Sequence, residues 1–231
     1  MQIHGLNKTT LLDYPEHVAA TIFTGGCNFR CPFCHNKSLV IAPESEPVIP
    51  EDEILAFLNK RKGVLSGVCI TGGEPTLNSG LKDFIIKIKA LGYSVKLDTN
   101  GYHPDIMIDL IENKLIDYVA MDIKSSPSGY EKASGIPGIL LEPIYKSVRY
   151  LINGSIPYEF RTTVVRELHT EADFNEIGKW LSGCRAYYLQ AYKDSDNVLC
   201  KGFSSYSKDE LLIFATLLKP YIENVHIRGI D

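Results

Sequence analysis

Three cysteines stand within eight residues of this chain, at Cys27, Cys31 and Cys34. They follow C-x3-C-x2-C spacing, and thiolates this close together on one loop can bind a single iron–sulfur cluster. Three ligands on a four-iron cluster leave one iron open, and an open metal position is typical of catalytic sites rather than structural ones. A zinc site completed by His35 is an alternative, although His35 directly follows Cys34 and paired zinc ligands are normally about two residues or more apart. Three thiols without any metal are a further alternative.

A second segment whose residues could take part in chemistry is GGEP at residues 72–75, which follows a short apolar run. Two glycines allow the backbone to adopt positive φ and to approach a ligand closely. The backbone of this segment and the Glu74 carboxylate are suitable acceptors for an ammonium group. A tight strand-to-helix turn with a capping acid is the structural alternative.

The elements that must position these residues alternate along the chain. Short apolar runs that end at Gly, Asn or Asp predict strands, and apolar residues at helical spacing predict helices. This alternation predicts a parallel α/β sheet with right-handed crossovers, and about six β/α units are too few for a closed eight-fold barrel. We therefore expect one domain, 1–231, built as a partial, open parallel β/α barrel. The predicted strands are 18–23, 67–71, 94–98, 118–122, 158–165, 186–192 and 224–227, and the predicted helices are 50–58, 81–91, 104–113, 141–152, 171–181 and 208–218.

Polar residues follow four consecutive predicted strands. In parallel sheets the chemistry lies beyond the carboxyl ends of the strands. The cysteines follow the first predicted strand, residues 72–75 the second, residues 98–101 (DTNG) the third and residues 122–124 (DIK) the fourth. We therefore expect all four groups on one rim of the sheet. Asp and Asn at strand ends are also ordinary turn formers, which is the alternative for the last two groups.

Composition limits the classes of function. The chain has 231 residues, of which 45% are hydrophobic and 23% charged, as is ordinary for a soluble globular protein. A formal net charge of −4 offers no basic surplus for a phosphate backbone. The first residues lack the build of a signal peptide, and no apolar run reaches the ~20 residues that cross a bilayer. We expect a cytoplasmic protein with reduced cysteines and with neither nucleic acid nor membrane as partner.

The cysteine motif, with the aromatic Phe33 before its last cysteine and the GGEP segment downstream, resembles the radical S-adenosylmethionine (SAM) superfamily over nearly the whole chain. More narrowly, the segments CNFRCPFCHN, TGGEPTL, DTNG and MDIK resemble the activating enzymes of glycyl-radical enzymes. The opening GLNKTTLLDYPEHVAATIFTGGCNFRC is most similar to the anaerobic ribonucleoside-triphosphate reductase activating proteins, with the pyruvate formate-lyase activating enzymes a close second.

The resemblance implies that Cys27, Cys31 and Cys34 hold a [4Fe-4S] cluster, whose open iron is chelated by the amino and carboxylate groups of SAM. A reduced cluster would pass one electron to the sulfonium and give methionine and a 5′-deoxyadenosyl radical. That radical would remove a hydrogen from the Cα of one glycine in a partner enzyme. The partner that the resemblance implies first is an anaerobic ribonucleotide reductase. A flavodoxin or ferredoxin is the electron donor that the family implies.

The resemblance also implies a SAM pocket, which the family's motifs place on residues of this chain. The GGEP segment would receive the methionine amino group, and the Asp and Lys residues at the strand ends would surround the SAM carboxylate. Hard oxygen ligands there suit a monovalent cation, which is associated with such a site in the family. For Arg161, a structural salt bridge is the alternative to a role in the SAM pocket. Gln190 stands where the pyruvate formate-lyase activator has a His. The residues of the SAM pocket are Phe33, Gly72, Gly73, Glu74, Asp98, Asp122, Lys124, Arg161 and Gln190, and those of the cation site are Asp98, Thr99 and Asp122.

Two competing functions stay open from the sequence. A radical SAM enzyme that acts on a small molecule, such as one of the 7-carboxy-7-deazaguanine synthase type, is also short. The unmodified CNFRCPFCHN loop argues against it, because that family usually remodels this loop. A non-catalytic zinc protein or electron carrier is the alternative from a different class, but an electron carrier would not need the GGEP segment.

Overall fold

The computed structural model describes residues 1–230, so Asp231, which ends the predicted domain, lies outside the described residues. Eight strands form one sheet in the order β1 to β8, and the two edge strands are β1 and β8. The sheet is open, as predicted. The strands are β1 (Ile3–Thr10), β2 (Ala19–Thr24), β3 (Gly67–Gly72), β4 (Ser94–Thr99), β5 (Tyr118–Asp122), β6 (Tyr158–Val164), β7 (Ala186–Ala191) and β8 (Asn224–Arg228). The helices are α1 (Lys37–Ile41), α2 (Glu51–Lys60), α3 (Leu81–Ala90), α4 (Pro104–Glu112), α5 (Tyr130–Ser134), α6 (Glu142–Asn153), α7 (Glu171–Trp180) and α8 (Lys208–Leu218).

The chain divides into two compact units. The first comprises residues 1–28 and 38–120, and the second comprises residues 29–37 together with the chain from Met121 onward. The boundary crosses the cysteine motif after residue 28, so Cys27 belongs to the first unit and the other two cysteines to the second. The prediction that residues 1–231 form one domain stays a prediction.

The first unit is built on three parallel strands and one antiparallel edge strand. Strands β2, β3 and β4 are parallel, with Ile22 opposite Ile70 and Ile70 opposite Leu97, while β1 is antiparallel to β2. These apolar positions are fully buried, and most of their neighbours along the strands are buried too, as expected of parallel strands that are covered on both faces. Helix α3 buries Phe84 and Ile88 on its apolar stripe.

The second unit repeats this construction with β6, β7 and β8, which are parallel and place Leu189 opposite both Thr162 and Ile227. Helices α7 and α8 each begin with a capping box, in which a Thr or Ser side chain and an acid three residues later satisfy the first backbone N–H groups. Phe174 of α7 stacks on Phe214 of α8 with ring centroids 4.5 Å apart.

The strand positions confirm the predicted α/β class, and the seven predicted strands match β2 to β8 closely. The sequence patterns missed β1, because residues 3–10 (IHGLNKTT) are largely polar and bury only their two end residues. They also missed α1 and α5, which have five residues each and are too short to show a helical period. Within residues 1–230, no helix combines the length and apolar character needed to cross a membrane.

Candidate functional site

The GGEP segment packs directly against the residues that precede the first cysteine, within the first unit. The Gly73 N–H donates to the Thr24 carbonyl at 2.8 Å, and the Glu74 N–H donates to the Gly26 carbonyl at 2.7 Å. A Cβ on Gly73 would lie 2.0 Å from the Gly26 carbonyl oxygen, and Gly72 has φ of +115°. A side chain at either position would therefore force backbone to move. The glycine pair is required by close contact between two loops, whatever ligand the site binds.

Glu74 is 1% exposed and joins this loop to the end of β4. Its carboxylate accepts hydrogen bonds from the Thr76 N–H at 3.1 Å, the Thr76 hydroxyl at 2.5 Å, the Thr99 hydroxyl at 2.8 Å and the Asn100 N–H at 2.7 Å. Burial raises the pKa of Glu74, and these hydrogen bonds oppose that effect. A carboxylate has about four acceptor positions, and here three of the bonds reach Oε1 and one reaches Oε2, so the protein itself occupies most of the acceptor capacity that the sequence suggested for a ligand.

The Cys27 thiol lies beside the side-chain amide of Asn100, which the sequence patterns did not single out. Asn100 Nδ2 lies 4.0 Å from Cys27 Sγ and donates to Asn28 Oδ1 at 2.8 Å. Asn28 Nδ2 is buried and has no hydrogen-bond partner among residues 1–230. Amide N–H groups next to a thiolate stabilise its negative charge and that of a metal cluster that it binds. The spacing alone assigned Asn100 only to a turn.

Asp98 and Thr99 are neighbours in β4 and therefore point to opposite faces of the sheet. The Thr99 hydroxyl donates to Glu74, whereas the Asp98 carboxylate accepts a hydrogen bond from the Lys96 ammonium. The Cys69 thiol lies 3.6 Å from the same Asp98 oxygen. The structure thus does not bring the side chains of Asp98 and Thr99 together, although both were predicted to bind one cation.

In the second unit, the segment 29–35 carries the other two cysteines. Backbone hydrogen bonds connect this segment to two other parts of the unit. The Arg30 N–H donates to the Ser134 carbonyl at 2.8 Å, at the end of α5. The Leu199 N–H donates to the Cys34 carbonyl at 3.0 Å, from the loop that follows β7. These bonds give the cysteine segment a defined backbone path without any regular secondary structure of its own.

His35, the fourth ligand of the alternative zinc site, is engaged through one ring nitrogen with the second unit's own backbone. His35 is exposed, and its Nε2 lies 2.6 Å from the Lys193 carbonyl oxygen, so this ring nitrogen already has a partner. Among residues 1–230 no three His, Cys, Asp or Glu side chains are grouped so as to hold one metal ion. The thiolates of an iron–sulfur cluster bind different irons and need not converge on one point. Both Phe33 and Cys31 are buried.

Asp122 ends β5 and is paired with two cations. Lys124 Nζ lies 2.8 Å from Oδ2, and Arg161 Nε donates to Oδ1. Burial alone would raise the pKa of Asp122, but Arg161 and Lys124 hold it well below its ordinary value. The pKa of Lys124 is raised despite its burial, because Asp122 and Cys31 are negative neighbours. Two cations and one carboxylate leave a net positive charge that suits an anionic ligand.

His169 is a buried residue that supports Lys124 and that the sequence patterns missed. It is fully buried, and the Val165 N–H donates to its Nδ1 at 3.0 Å. Its Nε2 therefore carries the proton and donates to the Lys124 carbonyl at 2.8 Å. Burial lowers the pKa of His169, which keeps the ring neutral. A chain separation of 45 residues between the two partners hides this contact from any local pattern.

Arg161 lies in the middle of β6, and Gln190 lies near the carboxyl end of the adjacent parallel strand β7, both in the second unit. Arg161 of β6 is opposite Tyr188 of β7, and Gln190 is opposite Thr163 and, on its other side, Arg228. Gln190 is half-buried. Arg161 forms an ion pair with Asp122, which is the structural alternative that the sequence left open for this residue. Because Asp122 also pairs with Lys124, the two cations share one carboxylate.

We expect Asp122→Asn to destabilise the protein by about 2 kcal/mol at pH 7, because it leaves two half-buried cations without their shared carboxylate. The pKa of Asp122 is depressed, so its contribution is present above its ordinary pKa and is lost as pH falls towards the depressed one. The difference between wild type and variant in chemical denaturation should therefore be constant above about pH 5 and shrink below about pH 4.

The matched control is Asp109→Asn, which breaks an exposed pair with Lys82 at 2.6 Å. It should cost less than about 1 kcal/mol and show no such change in acid. Equal costs for the two variants at pH 7 would contradict a supporting role for the Asp122 pairs.

Comparison with known proteins places these features in a family. The family model described as the Radical SAM superfamily matches residues 21–181. A protein of Methanocaldococcus jannaschii that is inferred to be a glycyl-radical enzyme activating enzyme is 34% identical over 99% of this chain and 96% of its own. Pyruvate formate-lyase 1-activating enzyme of Escherichia coli is 26% identical over 71% of this chain and 68% of its own. A Thermococcus kodakarensis protein inferred to be a GTP 3′,8-cyclase is 29% identical over 63% of this chain and 47% of its own.

Among solved structures, Streptococcus suis SuiB bound to S-adenosylmethionine is similar with a TM-score of 0.69 and 18% sequence identity. The similarity covers 89% of this chain and 48% of the SuiB chain, so this chain spans about half of SuiB. A similarity at this level of identity supports the fold alone.

Proposed function

The chain belongs to the radical SAM superfamily, and on that basis we propose that it is an activating enzyme of a glycyl-radical enzyme. Membership implies a [4Fe-4S] cluster and SAM as cofactors. The observation that carries the proposal is the similarity to the Methanocaldococcus jannaschii activating enzyme, which extends over nearly the full length of both chains. The similarity to the GTP 3′,8-cyclase reaches less than half of that relative.

The proposed partner is an anaerobic ribonucleotide reductase, in which the activase would remove a hydrogen atom from the Cα of one glycine. The sequence that opens the chain and runs through the cysteine motif supports this choice over pyruvate formate-lyase, as does Gln190 in place of a His. A flavodoxin or ferredoxin as electron donor and a cytoplasmic location are parts of the same proposal.

The cysteines that would hold the cluster are Cys27, Cys31 and Cys34. In the first unit the Asn100 amide lies 4.0 Å from the Cys27 thiol, which fits an electron-rich group there. None of the cysteines in residues 1–230 forms a disulfide, so no disulfide competes with cluster binding.

When bound, the reduced cluster and SAM supply the 5′-deoxyadenosyl radical that abstracts hydrogen. For SAM itself we propose that backbone carbonyls of residues 72–75 accept the ammonium group, because the Glu74 carboxylate is engaged with Thr76, Thr99 and Asn100. The positive charge of Lys124 and Arg161 would attract the SAM carboxylate. Phe33 would exclude water, and Gln190 would offer a neutral hydrogen-bonding amide.

The proposal is tested by anaerobic reconstitution with iron and sulfide, followed by incubation with SAM, a reductant and a partner enzyme. With an anaerobic ribonucleotide reductase we expect a glycyl-radical doublet by electron paramagnetic resonance. A doublet only with pyruvate formate-lyase would support the activase function and show that the proposed partner is wrong. SAM cleavage without a doublet from either partner would favour a small-molecule enzyme, such as one of the 7-carboxy-7-deazaguanine synthase type. Absence of both signals would contradict the proposal.

A further inference from the structure

The residues that the sequence grouped as a monovalent-cation site are all engaged with other protein groups. In the first unit, Asp98 is paired with the Lys96 ammonium, and the Thr99 hydroxyl donates to Glu74. In the second unit, Asp122 carries both Lys124 and Arg161. A bound cation supplies positive charge to the carboxylates that ligate it. For Asp98 and Asp122 the protein's own ammonium and guanidinium groups already supply that charge.

Lys96 holds an unusual position for a lysine. It is 2% exposed in the middle of β4, and lysine is almost never buried unless it is paired. Because β4 places residues two apart on the same face, the Lys96 ammonium reaches the Asp98 carboxylate directly. Cys69 lies opposite Lys96 in β3, with its Sγ 3.8 Å from Lys96 Nζ. The ammonium is thus held between an acid on its own strand and a thiol on the next.

We propose that the Lys96 ammonium takes the place of a dissociable monovalent cation at Asp98, so that this protein needs neither Na⁺ nor K⁺ to hold that carboxylate or to bind SAM. Lys96 is then a positioning residue, which acts through Asp98 and does not touch the substrate. The statement about SAM rests on the proposed function, whereas the statement about Asp98 does not.

The first test measures thermal unfolding of the protein without SAM in NaCl, KCl and tetramethylammonium chloride at equal ionic strength. Wild type should have the same Tm in all three salts. Lys96→Met removes the ammonium from Asp98, so its Tm should be about 3 °C higher in NaCl or KCl than in tetramethylammonium chloride, whose cation is too large to replace the ammonium. The double variant Lys96→Met/Asp98→Asn should again be insensitive to the salt, because the carboxylate that would attract the cation is removed as well.

The matched control is Lys82→Met, the same substitution at an exposed pair with Asp109 in the first unit. It should respond to the three salts as wild type does. A wild type that is stabilised by Na⁺ or K⁺ over tetramethylammonium would overturn the proposal. So would a Lys96→Met variant that is insensitive to the salt, since Lys96 would then be merely structural. If Lys96→Met does not fold, two other measurements decide the question. They are the comparison of wild type in the three salts and the Tm of the charge-retaining Lys96→Arg variant, which should be insensitive to the salt.

The second test measures SAM binding to the reconstituted protein by equilibrium dialysis in the same salts. Wild type should bind with one Kd, within about twofold, in all three. Lys96→Met should bind on the order of tenfold more weakly in tetramethylammonium chloride than in NaCl, which corresponds to one charge-assisted contact. A wild type that binds SAM only with Na⁺ or K⁺ would overturn the proposal. If wild type binds no SAM in any salt, the proposed function fails, and the thermal test still decides whether Lys96 replaces the cation.

Discussion

Cys31→Ala is expected to abolish the iron–sulfur cluster and the reductive cleavage of SAM together. Cys31 is buried and would be one of three thiolate ligands, and alanine supplies no ligand in its place. We expect wild type to hold about four irons and about four sulfides after anaerobic reconstitution, and the variant to hold neither in stoichiometric amount. Cleavage should fall to the background rate, as measured by release of 5′-deoxyadenosine.

The matched control is Cys200→Ala, which removes an exposed thiol that lies outside the motif. Iron content and cleavage should equal those of wild type. SAM cleavage retained by Cys31→Ala, or lost equally in Cys200→Ala, would show that the assignment of the ligands is wrong.

Gly73→Ala is expected to have the second largest effect and to act through the backbone. Its Cβ would lie 2.0 Å from the Gly26 carbonyl oxygen, a group that cannot rotate away as a flexible side chain can. The loop must therefore move away from the segment that leads into Cys27. We expect a loss of about 3 kcal/mol in the free energy of unfolding by chemical denaturation, together with reduced iron incorporation.

Gly63→Ala is the control for the conformational cost of replacing a glycine. Gly63 also belongs to the first unit and has φ of +79°, but a Cβ there meets no atom within 4 Å. That variant should lose only about 1 kcal/mol and should incorporate iron normally. If the two variants lose equal stability, the contact between the GGEP loop and Gly26 does not have the importance assigned to it.

The order of strands and helices was predictable because it depends on local patterns. The strand that ends at Gly72 and the helix that begins at Leu81 show their apolar spacing within about ten residues, and packing against the sheet agrees with that spacing. Strand β1 was not predictable in this way. It is polar and pairs at the edge of the sheet, where only its partner β2 requires it to be extended.

Within the candidate site, the sequence predicted which residues matter better than it predicted what they contact. Glu74 was assigned to a ligand, but tertiary packing surrounds its carboxylate with donors from the end of β4. Lys96 and His169 were not singled out, because their roles depend on the face of a strand and on a contact between distant segments. Such contacts are set by the fold, and no spacing along the chain reveals them.

The most direct test of the proposed activase follows a hydrogen atom. An anaerobic ribonucleotide reductase is prepared with deuterium at the glycine Cα positions and incubated anaerobically with the reconstituted protein, reductant and unlabelled SAM. We predict that deuterium appears in the 5′-deoxyadenosine in step with growth of the glycyl-radical signal. Product that carries no deuterium while SAM is cleaved at the same rate would contradict removal of hydrogen from a glycine by this protein.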